Sequence, residues 1–175
     1  MKRVLLFILL LAGPAAAQGT DNLAAALKAA PNEAAAVALE AQIRETWARA
    51  GTPAVKLLLT RGAREMSEGA PGDALESFDA ALDLSPDLPD GWRGRSAARR
   101  SLGDYTGAVR DLQELLRREP NSFIAFQDLS RLAEVRGDWK SALLAWQKLL
   151  ELDPQTPGGQ SRLHDLKRRA LGEQL

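Results

Sequence analysis

Arg93, Arg95, Arg99 and Arg100 lie within eight residues and form a local concentration of positive charge. Guanidinium groups present planar forks of N–H donors, and their natural partners are carboxylates held by two parallel hydrogen bonds. The cluster therefore suits a surface that grips an acidic segment. The plainer reading, and the weightier one, is a solvated helix face laced with internal pairs, such as Arg131 with Glu134. Other chemistry finds little footing. His164 is the sole histidine, and neither further ligands at metal spacing nor a nucleophile accompanies it. The chain has no cysteine, which excludes disulfides, thiolate metal sites and cysteine nucleophiles. Its carboxylates are scattered, so no acid/base pair is recognisable. No glycine-rich phosphate loop follows a strand. The sequence thus points away from an enzyme, a cofactor or a metal.

The elements that hold these arginines are legible from spacing. Alanine is abundant and aromatics are 5% of residues, which favours helices over sheet. Pro86, Pro120 and Pro154 are 34 residues apart, as are Gly69, Gly103 and Gly137, and Ala74, Ala108 and Ala142. A bulky residue follows each alanine four places on, as Phe78, Leu112 and Trp146. Such a period predicts stacked repeats, each a pair of helices. The copies run Val55–Asp87, Leu88–Asn121 and Ser122–Pro154. In the second, helices are predicted over Pro89–Leu102 and Tyr105–Arg118.

Gly103 and Gly137 supply the left-handed residue that ends a first helix. Asp104 and Asp138 then cap the second helix by accepting from its free amides. The first copy reads Gly69-Ala70-Pro71-Gly72 there; it lacks the capping carboxylate, so a looser turn is expected, with Pro71 in the first helical turn. Gly62, Ser96 and Ser130 are small in the middle of each first helix, so the two helices of a pair can approach closely. Leu58, Trp92 and Phe126 open the first helices and fill space beside the crossing, and core positions are expected for Trp92, Trp146, Trp139 and Trp47.

This pattern resembles the tetratricopeptide repeat family over residues 55–154. The resemblance implies an all-α fold: a right-handed superhelix of antiparallel helix pairs, three repeats plus flanking helices, with a concave groove lined by the first helix of each pair. Such arrays bind peptides or protein surfaces. The register places Lys56 and Met66 of the first copy in the groove. It adds Arg93 and Arg100 of the second, and Gln127, Arg131 and Glu134 of the third. Some members of the family clamp a C-terminal carboxylate with an asparagine in the first helix. Thr60, Gly94 and Asp128 hold those positions here, which speaks against that mode.

The flanks differ from the repeats. Lys2 and Arg3, the apolar run Val4–Ala12, a Gly13-Pro14 break and Ala15–Ala17 form the three-part pattern of a cleaved signal peptide, residues 1–17, with Gln18 first in the mature chain. The apolar run is too short to span a bilayer, which takes roughly 20 residues. Residues 18–54 are predicted helical: a short helix capped by Asp21 and carrying Leu23 and Leu27, then one from Glu33 to Ala50 with the stripe Leu39, Ile43 and Trp47. This region breaks the register, placing Glu40 and Arg44 where the repeats carry alanine and a bulky residue. It reads as a diverged half-repeat or a packing cap. Residues 155–175 read as a capping helix with Leu163 and Leu166 on its apolar side and Lys167, Arg168 and Arg169 on the other.

Formal net charge is zero, so no basic excess calls for nucleic acid. The expected protein is a periplasmic, non-catalytic adaptor without stable membrane insertion, binding a protein or peptide partner in its groove. A structural subunit of an oligomeric periplasmic complex is the alternative.

Overall fold

The computed structural model describes residues 15–172. The expected signal segment lies outside the described residues as far as residue 14. All regular structure among the described residues is helical: α1 Ala15–Lys28, α2 Glu33–Arg49, α3 Pro53–Ser67, α4 Pro71–Leu84, α5 Pro89–Ser101, α6 Tyr105–Arg118, α7 Phe123–Val135, α8 Trp139–Leu152 and α9 Gly159–Leu171. No described helix is long and apolar enough to cross a membrane.

Three antiparallel pairs, α3–α4, α5–α6 and α7–α8, stack in order. The periodic residues explain why. Ala74, Ala108 and Ala142 are fully buried, and Phe78, Leu112 and Trp146 are buried beside them. Ser96 and Ser130 donate to the Ala108 and Ala142 carbonyls at 2.9 and 3.0 Å, which ties the two helices of a pair together at their closest approach. In the first copy Gly62 takes the serine's place because the Phe78 ring occupies the space: a Cβ there would lie 2.9 Å from the ring.

The intra-repeat turns are alike in all three copies. Gly69, Gly103 and Gly137 have φ of 76°, 82° and 71°. The following amide donates back five residues each time, Ala70 to Glu65, Asp104 to Arg99 and Asp138 to Ala133, at 2.9 Å. This helix end is closed by the backbone alone. The first-copy turn is therefore not looser, contrary to expectation; it lacks only the side-chain cap that Asp104 and Asp138 give to Gly107 and Ser141.

Two further expectations need correction. Helix α1 already runs from Ala15, so Asp21 lies inside it and caps nothing. Trp92 is half-buried rather than core: its indole donates to the Pro86 carbonyl at 2.7 Å, and the guanidiniums of Arg95 and Arg118 both stack on its ring at 4.7 Å. Trp139 is likewise half-buried, under Arg169. Trp47 and Trp146 are buried.

The α1–α2 hairpin does not continue the stack upstream. Asn32 caps α2 by accepting from Ala35. Leu27, Ala30, Ala36, Ile43 and Trp47 then share one core with Phe123 and Ile124 of α7, closed by Leu152 of α8. The hairpin thus folds back across the array onto the third copy. At the other end, Leu163 and Leu166 of α9 pack on Trp146 and Leu150 of α8.

Candidate functional site

The first helices of the three pairs form the wall of a concave groove of about 680 Å³. Equivalent positions recur every 34 residues, so each rung of this wall receives one residue per copy. Five of the seven predicted residues, Lys56, Met66, Arg93, Arg100 and Arg131, line this cavity together. Gln127 and Glu134 do not reach it. They open with Arg131 onto an adjoining pocket of about 390 Å³, because Pro157, Gly158 and Arg162 fold over that end of the third copy.

The groove changes character along its length. Leu59, Ala63 and Met66 of α3, with the Phe78 ring behind them, make the first-copy end apolar. Phe78 reaches the groove because Gly94 has no side chain: a Cβ there would lie 2.3 Å from the ring. The sequence shows Phe78 only as a packing residue; the clue to its second role is the pair of glycines, Gly62 and Gly94, facing it.

Toward the third copy the groove becomes cationic, but its cations are not equivalent. Arg93 donates to Asp128 at 2.8 Å, and Arg131 approaches the other Asp128 oxygen at 3.7 Å. Asp128 stands at the position where an asparagine clamp would be, and it is occupied by these arginines. Arg131 does not pair with Glu134, as the simpler reading expected; Glu134 pairs with Arg162 of α9. Lys56 and Arg100 are exposed and have no ion-pair partner among the described residues. Asp90 adds a carboxylate on the same rung as Lys56; burial raises its pKa, and the nearby Arg93 charge pulls it back. Asp90 escaped the sequence reading, although its register with Lys56 marks it.

The arginine cluster divides by helical face. Arg93 and Arg100 face the groove, while Arg95 and Arg99 turn to the α6 side. There the fully buried Asp111 accepts from Arg95 and from Arg99, both at 2.8 Å, and Asp79 accepts from Arg95 at 2.7 Å. Burial works against the Arg95 charge, but its hydrogen bonds to Asp111 and Asp79 outweigh this and raise its pKa. This half of the cluster is consumed in holding α5 to α4 and α6. His164 is exposed on α9. Among the described residues, no three of His, Asp and Glu converge as a metal site requires.

Comparison with known proteins agrees with this architecture. The tetratricopeptide repeat profile matches residues 59–112 and 93–157. A TPR repeat-containing protein of Rhizobium etli is 27% identical over 157 residues, covering 89% of this chain and 76% of the relative. The Hsp70-Hsp90 organizing protein of Triticum aestivum is 30% identical over 110 residues, 63% of this chain but only 19% of that much longer protein. Among solved structures, the first TPR of Spaghetti (RPAP3), bound to the HSP90 peptide SRMEEVD, superposes with a TM-score of 0.63 at 17% identity, covering 70% of this chain and 97% of that one. The profile spans more than half of the chain, and its span coincides with the three stacked pairs: this chain belongs to the tetratricopeptide repeat family.

Proposed function

We propose that this protein is an exported, non-catalytic adaptor whose concave groove holds an acidic segment of a partner protein. The observation that carries the reading is the state of Lys56 and Arg100. Both are charged, solvent-facing and without an internal ion-pair partner among the described residues, and they flank an apolar floor made by Leu59, Met66 and Phe78. Unpaired cations beside an apolar patch favour a ligand that brings carboxylates next to bulky side chains. A relative of the same fold binding the peptide SRMEEVD is consistent with such a mode. Here Asp128 is already engaged by Arg93, so a terminal carboxylate gains no clamp at that position. Export rests on the three-part pattern of residues 1–17, and that pattern together with the repeats supports a periplasmic location.

Two measurements test this. A displayed library of random peptides, selected on the wild-type chain and on Lys56→Glu/Arg100→Glu, should yield acidic-aromatic sequences only for the wild type. Affinity should fall as salt rises. Enrichment of the same sequences by both proteins would refute the groove reading. Intact mass of the protein recovered from an expressing Gram-negative host should correspond to a chain beginning at Gln18. A mass that retains residues 1–17 would refute processing at that site. Light scattering that shows a stable oligomer, with no peptide selected, would favour the structural-subunit alternative.

A further inference from the structure

The α1–α2 hairpin sits on the concave face itself. Lys56 and Asp90 line the groove, and the next residue on their rung is Ile124, which is 2% exposed because Ile43 and Trp47 of the hairpin share its core. Ala48 of α2 is also a wall of the groove. The third-copy end of this rung is therefore covered by the chain's own helix.

The polar part of this junction is unusual. The prolines at the 34-residue interval are each preceded by a polar residue, Ser85, Glu119 or Asp153, and the latter two meet the hairpin, Glu119 at Thr20 and Asp153 at Glu40. Asp153 is fully buried beside the carboxyl of Glu40 of α2, itself buried. Glu119 is half-buried and bonded to Thr20 of α1, within the field of the exposed Asp21. One buried pair of carboxyls, Glu40 and Asp153, thus sits at this interface, with Glu119 beside it. The groups facing Glu40 are Arg44 from its own helix and Asp153 from the end of α8; those facing Glu119 are Asp21 and Thr20 from α1. Asp153 accepts from the Thr156 hydroxyl through Oδ2 at 2.5 Å, while its Oδ1 is buried without a partner. A protonated Glu40 carboxyl is the donor that this oxygen lacks. Trp47 Nε1, at the same interface, is also buried without a partner. Two of the three orphaned buried polar atoms among the described residues therefore lie here. Each such atom gives up its solvation without gaining a partner, which leaves the docking of the hairpin weaker than its apolar core alone would make it.

The geometry points to an acid-strengthened latch: the α1–α2 hairpin closes over the third-copy end of the groove when Glu40 and Glu119 carry protons, and lifts from it when they ionise. Direction follows from the environment. Burial raises the Glu40 carboxyl above its ordinary 4.5, Arg44 opposes this and Asp153 adds to it. Burial also raises Glu119, the Asp21 charge adds to it and Thr20 opposes. Docked, both carboxyls hold protons more tightly than they do free. Docking is therefore most favourable at and below the ordinary glutamate range, and its advantage is lost as pH rises through the raised values. For every pH unit by which a docked carboxyl titrates above a free one, the docking equilibrium changes about ten-fold. The latch does not depend on what the groove binds. If the groove reading holds as well, ligands that need the Ile124 end bind better at the higher pH.

The chain has no cysteine, so two introduced ones carry labels uniquely. Val37 of α2 and Leu144 of α8 are 46% and 64% exposed and suit spin labels. Pulsed dipolar distances on the full chain should show one short population near pH 4.5, and a longer one that grows as pH is raised to about 8. Helical circular dichroism should stay constant. Glutamine supplies an amide donor to Asp153 and carries no charge, so Glu40→Gln/Glu119→Gln should keep the short distance throughout. A wild-type distribution that does not move with pH overturns the latch. So does an equal movement in the glutamine variant, or a movement that tracks loss of helix.

Discussion

Gly94→Ala offers the sharpest test of how the groove floor is built. Gly94 lies inside α5, where an ordinary Gly→Ala change in a helix stabilises by about 1 kcal/mol. Here the added methyl would meet the Phe78 ring at 2.3 Å from Cε1, 2.5 Å from Cζ and 2.6 Å from Cδ1. Real carbon atoms do not approach so closely, so the ring or the helix must move. The ring cannot retreat toward α3, because Gly62 is already so close that a Cβ there would lie 2.9 Å away. Phe78 is 4% exposed and fixed in the α3–α4–α5 junction. Overpacking of this kind costs about 1–3 kcal/mol, and with two-sided confinement we take the upper half. Net of the helix-propensity gain, the variant should be destabilised by about 1–2 kcal/mol. Urea denaturation followed by far-ultraviolet circular dichroism measures this. Gly72→Ala is the control: it lies in α4 with nothing within 4 Å of the place its methyl would take, and it should be neutral or stabilising. Phe78→Leu should cost less in the Gly94→Ala background than in the wild type, since the smaller side chain makes room; the two changes share one contact and so couple. If Gly94→Ala stabilises as much as helix propensity predicts, Phe78 does not lie against Gly94 and the proposed floor is wrong.

Two other outcomes follow from the charge network. Asp111→Asn keeps the shape of a fully buried side chain but removes the charge shared by Arg95 and Arg99, whose side chains are 16% and 25% exposed. Breaking a buried pair costs about 3–5 kcal/mol; both guanidiniums still reach some water, so about 2 kcal/mol is expected by urea denaturation, and a loss below about 0.5 kcal/mol would show the network to be dispensable. Glu65 accepts from Ser77 at 2.6 Å and from Arg61 at 2.7 Å, and these bonds hold its carboxyl below the ordinary 4.5. Its contribution is therefore present above that value and is lost as pH falls through the lowered one. Glu65→Gln should flatten the acid-side fall in the urea midpoint, and an unchanged profile would assign that fall to other carboxylates. This acid response is opposite in sign to that of the hairpin, so acidification should weaken the first copy while tightening the latch.

The repeat register made the three pairs and their turns readable, because each landmark answers a local need. A left-handed residue ends a helix, a carboxylate caps the next, and a small residue permits a close crossing. The exception is instructive. The turn at Gly69 keeps its geometry without the acidic cap, since the bond from Ala70 to Glu65 depends on backbone alone. What period cannot convey is which periodic position has changed its chemistry. The contact between the two helices of a pair joins residues twelve apart at Glu65 and Ser77, and again at Arg99 and Asp111. The third copy carries Ala133 and Ala145 at these positions. One site in the frame thus holds a hydrogen bond from a hydroxyl, an ion pair and two methyl groups in turn. The register separates Arg93 and Arg100, which it places in the groove, from Arg95 and Arg99, but it does not name Asp111 and Asp79 as the partners of the latter, because a partner depends on what a neighbouring helix presents to that face.

The N-terminal hairpin carries the same lesson further. Glu40 and Arg44 mark where residues 18–54 leave the register, since an alanine and a bulky apolar residue belong there. That departure is also why the hairpin cannot stack as another repeat. A buried Glu40 at the close crossing of a regular pair would meet a carbonyl and a ring. Folded back onto the third copy, it meets Asp153 instead, and Arg44 lies over the Phe123 ring at 5.6 Å. The apolar stripe Ile43–Trp47 is satisfied equally by either arrangement, so apolar pattern alone does not choose between them. The polar residues choose, and they choose a contact whose strength depends on a proton. A hairpin bound by its apolar stripe alone would be fixed. One bound also through Glu40–Asp153 and Glu119–Thr20 is held in proportion to the protons on its two glutamates, and it lies over Ile124, the next residue on the rung of Lys56 and Asp90.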